Sequence, residues 1–325
     1  MSNLCPHWLS YHGYSIEAIR PWNADWVKVV DPDPAQCATL RDELHVKILA
    51  RLFPMSVGDY SVSPLYVADE HTDMILANRC YGAVDVWETA NEPGDLANPK
   101  TQAWLNEYWQ RMILSADNHG HRLCWGNFAN GTPPGINNQG ASDWLPYKET
   151  LQRASTRHIL GLHEYWGDGE FFRYSPWWVN RFAFVPGEPK IMITECGFNS
   201  AVGGRTESDE GWRSELTEAS YLSYLGYYLQ EVRYDHRVLA AFVFTLDFSS
   251  PRWQSFDVHG LETRIGALNA VAASVPAPAP VPTPAPSPGH EMLIDLRQQV
   301  IDAQDLLSLA DDKLDSLYQK LSSIL

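Results

Sequence analysis

Short apolar runs rich in β-branched residues alternate with amphipathic stretches along residues 1–274. Residues 8–14 read as a weak first strand, and Trp26-Val-Lys-Val-Val30 is a clear second strand with a helix after it over residues 34–43. The third strand is read at 46–53 with a helix at 65–79. The fourth lies within 84–93 and is followed by a helix at 101–118. Strand five is 122–127 with a helix at 144–155; strand six is 159–165 with a Trp-rich helical stretch at 177–182. Strand seven is 191–195, a long helix covers 211–234, strand eight is 238–245, and residues 265–274 close the ring. Alternating strands and helices imply an α/β protein with a parallel sheet, and eight repeats favour closure into a (β/α)8 TIM barrel. A barrel of this type takes about 250 residues. No G-x-G-x-x-G or phosphate loop follows any strand, which removes the usual reason to prefer a dinucleotide fold.

The pattern changes abruptly at residue 275. Proline recurs at every second position from Pro276 to Pro288, a composition that forms neither helix nor sheet and predicts a polyproline II linker over 275–289, reaching roughly 40 Å at about 3.1 Å per residue. Beyond it, Leu293, Leu296, Val300, Ala303, Leu307, Ala310, Leu314, Leu317, Leu321 and Ile324 recur at alternating steps of three and four. That heptad predicts a C-terminal coiled-coil helix over 290–325 and self-association through it. The competing reading is one amphipathic helix folded back on the barrel, which a stiff spacer opposes. The chain thus divides into a barrel (1–274), a linker (275–289) and an oligomerisation helix (290–325).

Composition narrows the partners. The net charge of −16 argues against nucleic acid and anionic membranes, which require clustered Lys and Arg. No apolar run approaches the roughly 20 residues of a membrane span, and the first residues, Met-Ser-Asn-Leu-Cys-Pro-His-Trp, show neither a basic nor an apolar leader region. A soluble globular protein is expected, its compartment left open. Five cysteines, with no C-x-x-C pair and no His-spaced metal pattern, read as reduced, partly buried packing residues. Thirteen Trp and fifteen Tyr serve core packing, or the stacking of flat sugar faces on aromatic platforms.

Two strands carry the chemistry. Val84-Asp-Val-Trp-Glu-Thr-Ala-Asn-Glu-Pro93 and Lys190-Ile-Met-Ile-Thr-Glu-Cys-Gly-Phe198 each end an apolar run in a carboxylate followed by a chain-turning residue. Parallel strands four and seven deliver such residues to one barrel mouth, where catalytic groups gather. Paired carboxylates in a sugar-sized cleft suit glycoside hydrolysis. An acid/base must hold a proton near neutral pH, which calls for burial or a negative neighbour, whereas a nucleophile must stay ionised beside donors or a cation. Arg51, at the end of strand three, is a candidate cation for Glu195, or alternatively a member of a structural ion pair. His163 and Tyr165 alternate onto one face of strand six; the competing reading of His163 is a satisfied core histidine. Glu88 lines the lower cleft or acts as the negative neighbour of Glu92, and strand alternation turns Glu164 away. Cys196 is read as packing, with a cysteine nucleophile as the alternative.

Asn91-Glu92-Pro93 at the end of strand four, together with Glu195 at the end of strand seven and His163-x-Tyr165 on strand six, resembles the clan A glycoside hydrolases over residues 1–274. The resemblance implies a retaining double displacement on a β-linked carbohydrate, with no metal and no organic cofactor. It implies that Glu92 is the acid/base, Glu195 the nucleophile and Asn91 the ligand of a sugar 2-hydroxyl. It also implies that Tyr165 donates to Glu195 and that His163 lines the sugar subsite. Among Trp166, Trp87, Trp125, Asn127 and Asp247 near strand ends, Trp166 is the one expected to shape a subsite. The sequence departs from the family at strand eight: Phe244-Thr-Leu-Asp247 stands where a Trp often floors the subsite, and Trp253 is the candidate substitute. Two alternatives stay open, a lysin-like cell-wall glycosidase and a carbohydrate-binding barrel without activity.

Overall fold

The computed structural model describes residues 2–9, 16–53, 55–133, 144–154, 157–167, 179–200, 210–248 and 251–274. They lie in a compact unit spanning Met1–Pro276; the linker and the coiled-coil helix expected at 290–325 lie outside the described residues. The strands are β1 (Leu4–Trp8), β2 (Trp26–Val30), β3 (Lys47–Arg51), β4 (Val86–Glu88), β5 (Leu123–Phe128), β6 (Ile159–Trp166), β7 (Lys190–Phe198) and β8 (Val238–Leu246). All neighbouring pairs are parallel and β8 returns to β1, so the sheet is a closed barrel in sequence order. Helices α1 (Pro34–Asp42), α2 (Pro64–Ala77), α3 (Pro99–His119), α4 (Lys148–Ala154), α5 (Trp212–Glu215), α6 (Glu218–Tyr234) and α7 (Glu262–Ser274) follow the strands. This is the (β/α)8 arrangement that the alternation predicts. No helix among the described residues is long and apolar enough to cross a membrane.

Local chemistry starts and stops these helices. Asp33 accepts from the backbone N–H groups of Ala35 and Gln36 to cap α1, with Pro34 at its first position, the place where a missing N–H does no harm. Asn98 and Pro99 repeat the device at α3, which ends on Gly120 at φ 80°, a left-handed angle that glycine adopts without penalty.

Three expectations need correction. The first strand is Leu4–Trp8, and of the stretch expected at 8–14 residues 10–14 lie outside the described residues; Pro6 lacks an N–H and hides the strand in the sequence, but pairing with both β2 and β8 holds it in place. The helix expected at 211–234 is broken, because Leu216 is extended and the Thr217 side chain accepts from Ser220 N–H to restart it as α6. Of the helical stretch expected at 177–182, residues 179–182 are described; Asn180 is left-handed, and a 3-10 turn runs from Arg181 to Phe184.

Candidate active site

One apolar residue or more from each strand (Cys5, Trp26, Leu49, Val86, Cys124, Ile159, Met192, and Ala240 with Phe242) plugs the barrel interior. Side chains return to the same face every second residue. One step toward the mouth, His7, Lys28, Glu88 and Arg51 therefore face inward as a polar layer. His163 and Tyr165 continue the inward face of Ile159 and Gly161.

Glu195 breaks this rhythm. Ile191 and Ile193 pack outward in the shell beneath the helices, and plain alternation would send Glu195 after them. Leu162 pairs with Ile193, whereas the next residue, His163, pairs with Glu195. The additional residue, Thr194, forms a bulge that re-aims the strand, turning Glu195 inward and Cys196 outward into the shell. Glu92 stands in the left-handed region at φ 44°, uncommon for a residue with a Cβ; its N–H donates to Asn127 O at 3.2 Å.

The two carboxylates meet. Atoms of Glu92, His163 and Glu195 all lie within 4.8 Å of one another. Lys28 Nζ is 3.2 Å and Arg51 Nη1 3.1 Å from Glu195 Oε1. The Tyr165 hydroxyl donates to Glu195 Oε2 at 2.9 Å. His163 Nδ1 is 2.8 Å from Glu92 Oε1 and 3.5 Å from Glu195 Oε2. Arg51 also holds Asn91 Oδ1. Behind β6, the buried Arg181 donates to Phe128 O, Ala129 O and His163 O at 2.9, 2.8 and 2.6 Å, tying the ends of β5 and β6 together.

Burial by itself raises the Glu195 carboxyl, but His163, Lys28 and Arg51 outweigh it and hold the group well below the usual carboxylate range. Burial, then the negative charge of Glu195 and Glu92, pushes the Tyr165 phenol well above its ordinary value, so Tyr165 stays a proton donor. Burial likewise pushes the Cys196 thiol far up. A thiol that stays protonated and faces the outer shell is no nucleophile. Glu92, Glu195 and His163 form the one cluster among the described residues close enough to share an ion. With Lys28 and Arg51 already on Glu195, added positive charge would be repelled, and the set suits proton handling better.

A cleft of about 360 Å³ opens above these groups, lined among others by Arg51, Asn91, Glu92, Tyr165 and Glu195. Phe244, Trp253 and Phe256 form one wall, with Phe244 and Trp253 edge to face at 5.4 Å. Phe53, 72% exposed, stands on the rim.

Arg51, Asn91, Glu92, His163, Tyr165 and Glu195 thus converge. Three expectations change. Trp166 is buried in the outer shell against Tyr228, with ring centroids 5.4 Å apart, because it follows Tyr165 on β6 and alternation points it away from the mouth. Trp87 and Trp125 are also buried in that shell. His163 lies beneath the cleft rather than on its lining. Glu92 is less buried than its role suggested, its side chain 44% exposed. The residues missed in the sequence are Lys28 and His7. The signal for Lys28 was a cation centred in an apolar strand, in register with the inward Trp26. His7, fully buried with neither ring nitrogen hydrogen-bonded, gave none.

No family model and no curated protein matches the chain by sequence. Among solved structures, the barrel is similar to a β-glucuronidase from Faecalibacterium prausnitzii (16% identity, TM-score 0.51), over 85% of this chain and 49% of that one. It is also similar to Bacteroides uniformis β-glucuronidase 2 covalently bound to cyclophellitol-6-carboxylate aziridine (14% identity, TM-score 0.53, 85% and 36% covered). A third is a GH5_18 protein from Bifidobacterium longum subsp. longum in complex with Manβ1-4GlcNAc (10% identity, TM-score 0.51, 85% and 79% covered). The chain spans half or less of the two β-glucuronidases, and at these identities what it shares with all three is the barrel fold.

Proposed function

We propose that the chain is a retaining β-glycoside hydrolase, with Glu195 as nucleophile and Glu92 as general acid/base. The observation that carries the reading is the pair itself: carboxylate oxygens within 4.8 Å, one buried between two cations and the other half exposed on the cleft. That proximity supports a retaining arrangement, in which the two carboxyl groups stand roughly 5–5.5 Å apart. The fold is shared with two β-glucuronidases, one of them covalently bound to cyclophellitol-6-carboxylate aziridine.

In the first step Glu195 attacks the anomeric carbon, the bond to the leaving oxygen breaks, and Glu92 gives that oxygen its proton. The product is a glycosyl ester of Glu195. In the second step Glu92 takes a proton from water, the water oxygen bonds to the anomeric carbon, and Glu195 leaves as a carboxylate. Arg51 occupies Asn91 Oδ1, so the amide N–H groups of Asn91 remain to meet a sugar hydroxyl. The wall of Phe244 and Trp253 offers an apolar face to a sugar ring.

The test is product release from β-1,3-glucan, β-mannan, xylan and peptidoglycan, with Glu195→Ala and Glu92→Ala beside the wild type, each with azide. Retention is supported if azide rescues Glu195→Ala to a glycosyl azide of inverted configuration and Glu92→Ala to one of retained configuration. A folded wild type that binds a glycan on the panel and cuts none is a binding barrel, and the proposal fails.

A further inference from the structure

Beneath Glu195 lies a charge pair that neither step of the double displacement uses. Lys28 Nζ is 3.1 Å from Glu88 Oε1 and 3.2 Å from Glu195 Oε1, and it donates to Thr194 O at 3.0 Å. Both Lys28 and Glu88 have fully buried side chains. Neither Glu88 oxygen has a hydrogen bond of good geometry, so the ammonium is the partner the structure gives it. A buried ion pair lacking supporting hydrogen bonds contributes little stability and often less than an apolar replacement. A buried polar group left so poorly satisfied calls for another explanation.

Charge balance supplies one. In the resting site Lys28 and Arg51 both face the Glu195 carboxylate. Once Glu195 becomes an ester its negative charge is gone, and a buried ammonium with no counter-ion is costly. Arg51 keeps Asn91 and lies near the cleft. Lys28, sealed beneath, keeps only Glu88 and a carbonyl. Resting on the double-displacement reading, we propose that Lys28 is a positioning residue that fixes Glu195 Oε1 from below, and that Glu88 is its standing counter-ion through the glycosyl-enzyme stage. The bulge at Thr194 serves the same arrangement, because it presents both the Thr194 carbonyl and Glu195 to one ammonium.

The charged and titratable groups facing Glu195 are Lys28 from β2, Arg51 from β3, Glu88 from β4 and Glu92 beyond it, His163 and Tyr165 from β6, and His7 from β1. Burial and then Lys28 push His7 well below its ordinary value, which leaves His163, Lys28 and Arg51 as the groups whose positive charge holds Glu195 ionised.

The test uses the full chain with 13C-labelled glutamate, following the Glu195 carboxyl by NMR and assigning it by difference from Glu195→Gln. Lys28→Met/Glu88→Gln removes both charges together, so no unpaired ion is left in the barrel. Its Glu195 titration is expected to rise by at least about one pH unit. Glu88→Gln alone keeps the cation, so its Glu195 is expected to titrate no higher than wild type. Its kcat/KM, on the panel glycan that the wild type cuts, is expected to fall about tenfold, because ester formation then leaves Lys28 unpaired. Lys28→Arg in the Glu88 background is expected to restore the low titration. If the double variant melts lower but titrates as wild type does, Lys28 is structural and the proposal is overturned. A wild type that cuts nothing on the panel removes the reaction reading and with it the role of Lys28 in turnover. The NMR arm still decides, separately, whether Lys28 sets the charge of Glu195.

Discussion

His163 Nδ1 lies 2.8 Å from Oε1 of Glu92, joining a fully buried ring to a carboxylate whose side chain is 44% exposed. The contact anchors one oxygen of the proposed acid/base while the cleft keeps access to the group. A hydrogen bond to a charged partner contributes about 1.5–3 kcal/mol. His163→Phe should therefore lower kcat/KM about 10–100-fold on substrates with poor leaving groups, and less on activated aryl β-glycosides, which need little protonation. Equal losses on both classes would show that His163 does not act through Glu92.

The Tyr165 hydroxyl donates to Glu195 Oε2, which favours the ionised form of that carboxyl. Tyr165→Phe removes the donor, so the Glu195 carboxyl rises. The acidic limb of the kcat/KM profile should move up by about one to two pH units, which is the same 1.5–3 kcal/mol expressed in protons. The phenol itself is held well above its ordinary value, so the basic limb should not change through loss of its titration. An acidic limb that stays in place sinks the assignment.

Stability should fall on acidification before the carboxylates titrate. His71, on α2, is 4% exposed and hydrogen-bonded to the Tyr108 hydroxyl at 2.7 Å; burial lowers it to about 4. Its folded value lies below the unfolded value of about 6.5. Between these limits the unfolded chain binds more protons, so stability is fully present above about 6.5 and is lost as pH falls toward 4. Urea titrations of wild type and His71→Gln across this window should show a smaller loss in the variant, the difference reaching at most about 3 kcal/mol. Parallel curves would count against it.

Gly266 marks a close approach of α7 to the 3-10 turn Arg20–Trp22. A Cβ at this position would stand 1.8 Å from the backbone oxygen of Pro21, and a backbone atom cannot swing aside as a side chain does. Gly266→Ala should destabilise the barrel by about 1–3 kcal/mol or more through overpacking, despite the better helix propensity of alanine. An unchanged melting temperature would show that α7 slides without cost.

Much of the site was legible because local pattern and chemistry agree there. Val86-Trp-Glu88 and Ile159–Trp166 carry period-two alternation. From it follow the inward His163 and Tyr165 and the outward Glu164, which accepts from the N–H groups of Asn180 and Arg181 and from the Tyr228 hydroxyl. The same alternation, applied one residue further, places Trp166 outside the mouth; the abundance of Trp near strand ends obscured it. Lys28 was legible in principle, as a charge at the centre of β2, but nothing in the sequence names its partners on β4 and β7.

The sequence by itself determined the repeat of strand and helix, the number of strands, and hence closure, because hydrophobic period and capping are local properties of the chain. Only the tertiary structure decided that Glu195 faces inward. Alternation from Ile191 and Ile193 points it outward, and the bulge at Thr194 that reverses it is a mismatch of register between two strands. Register belongs to the pairing of β6 with β7, not to either strand alone, so no single stretch of sequence contains it.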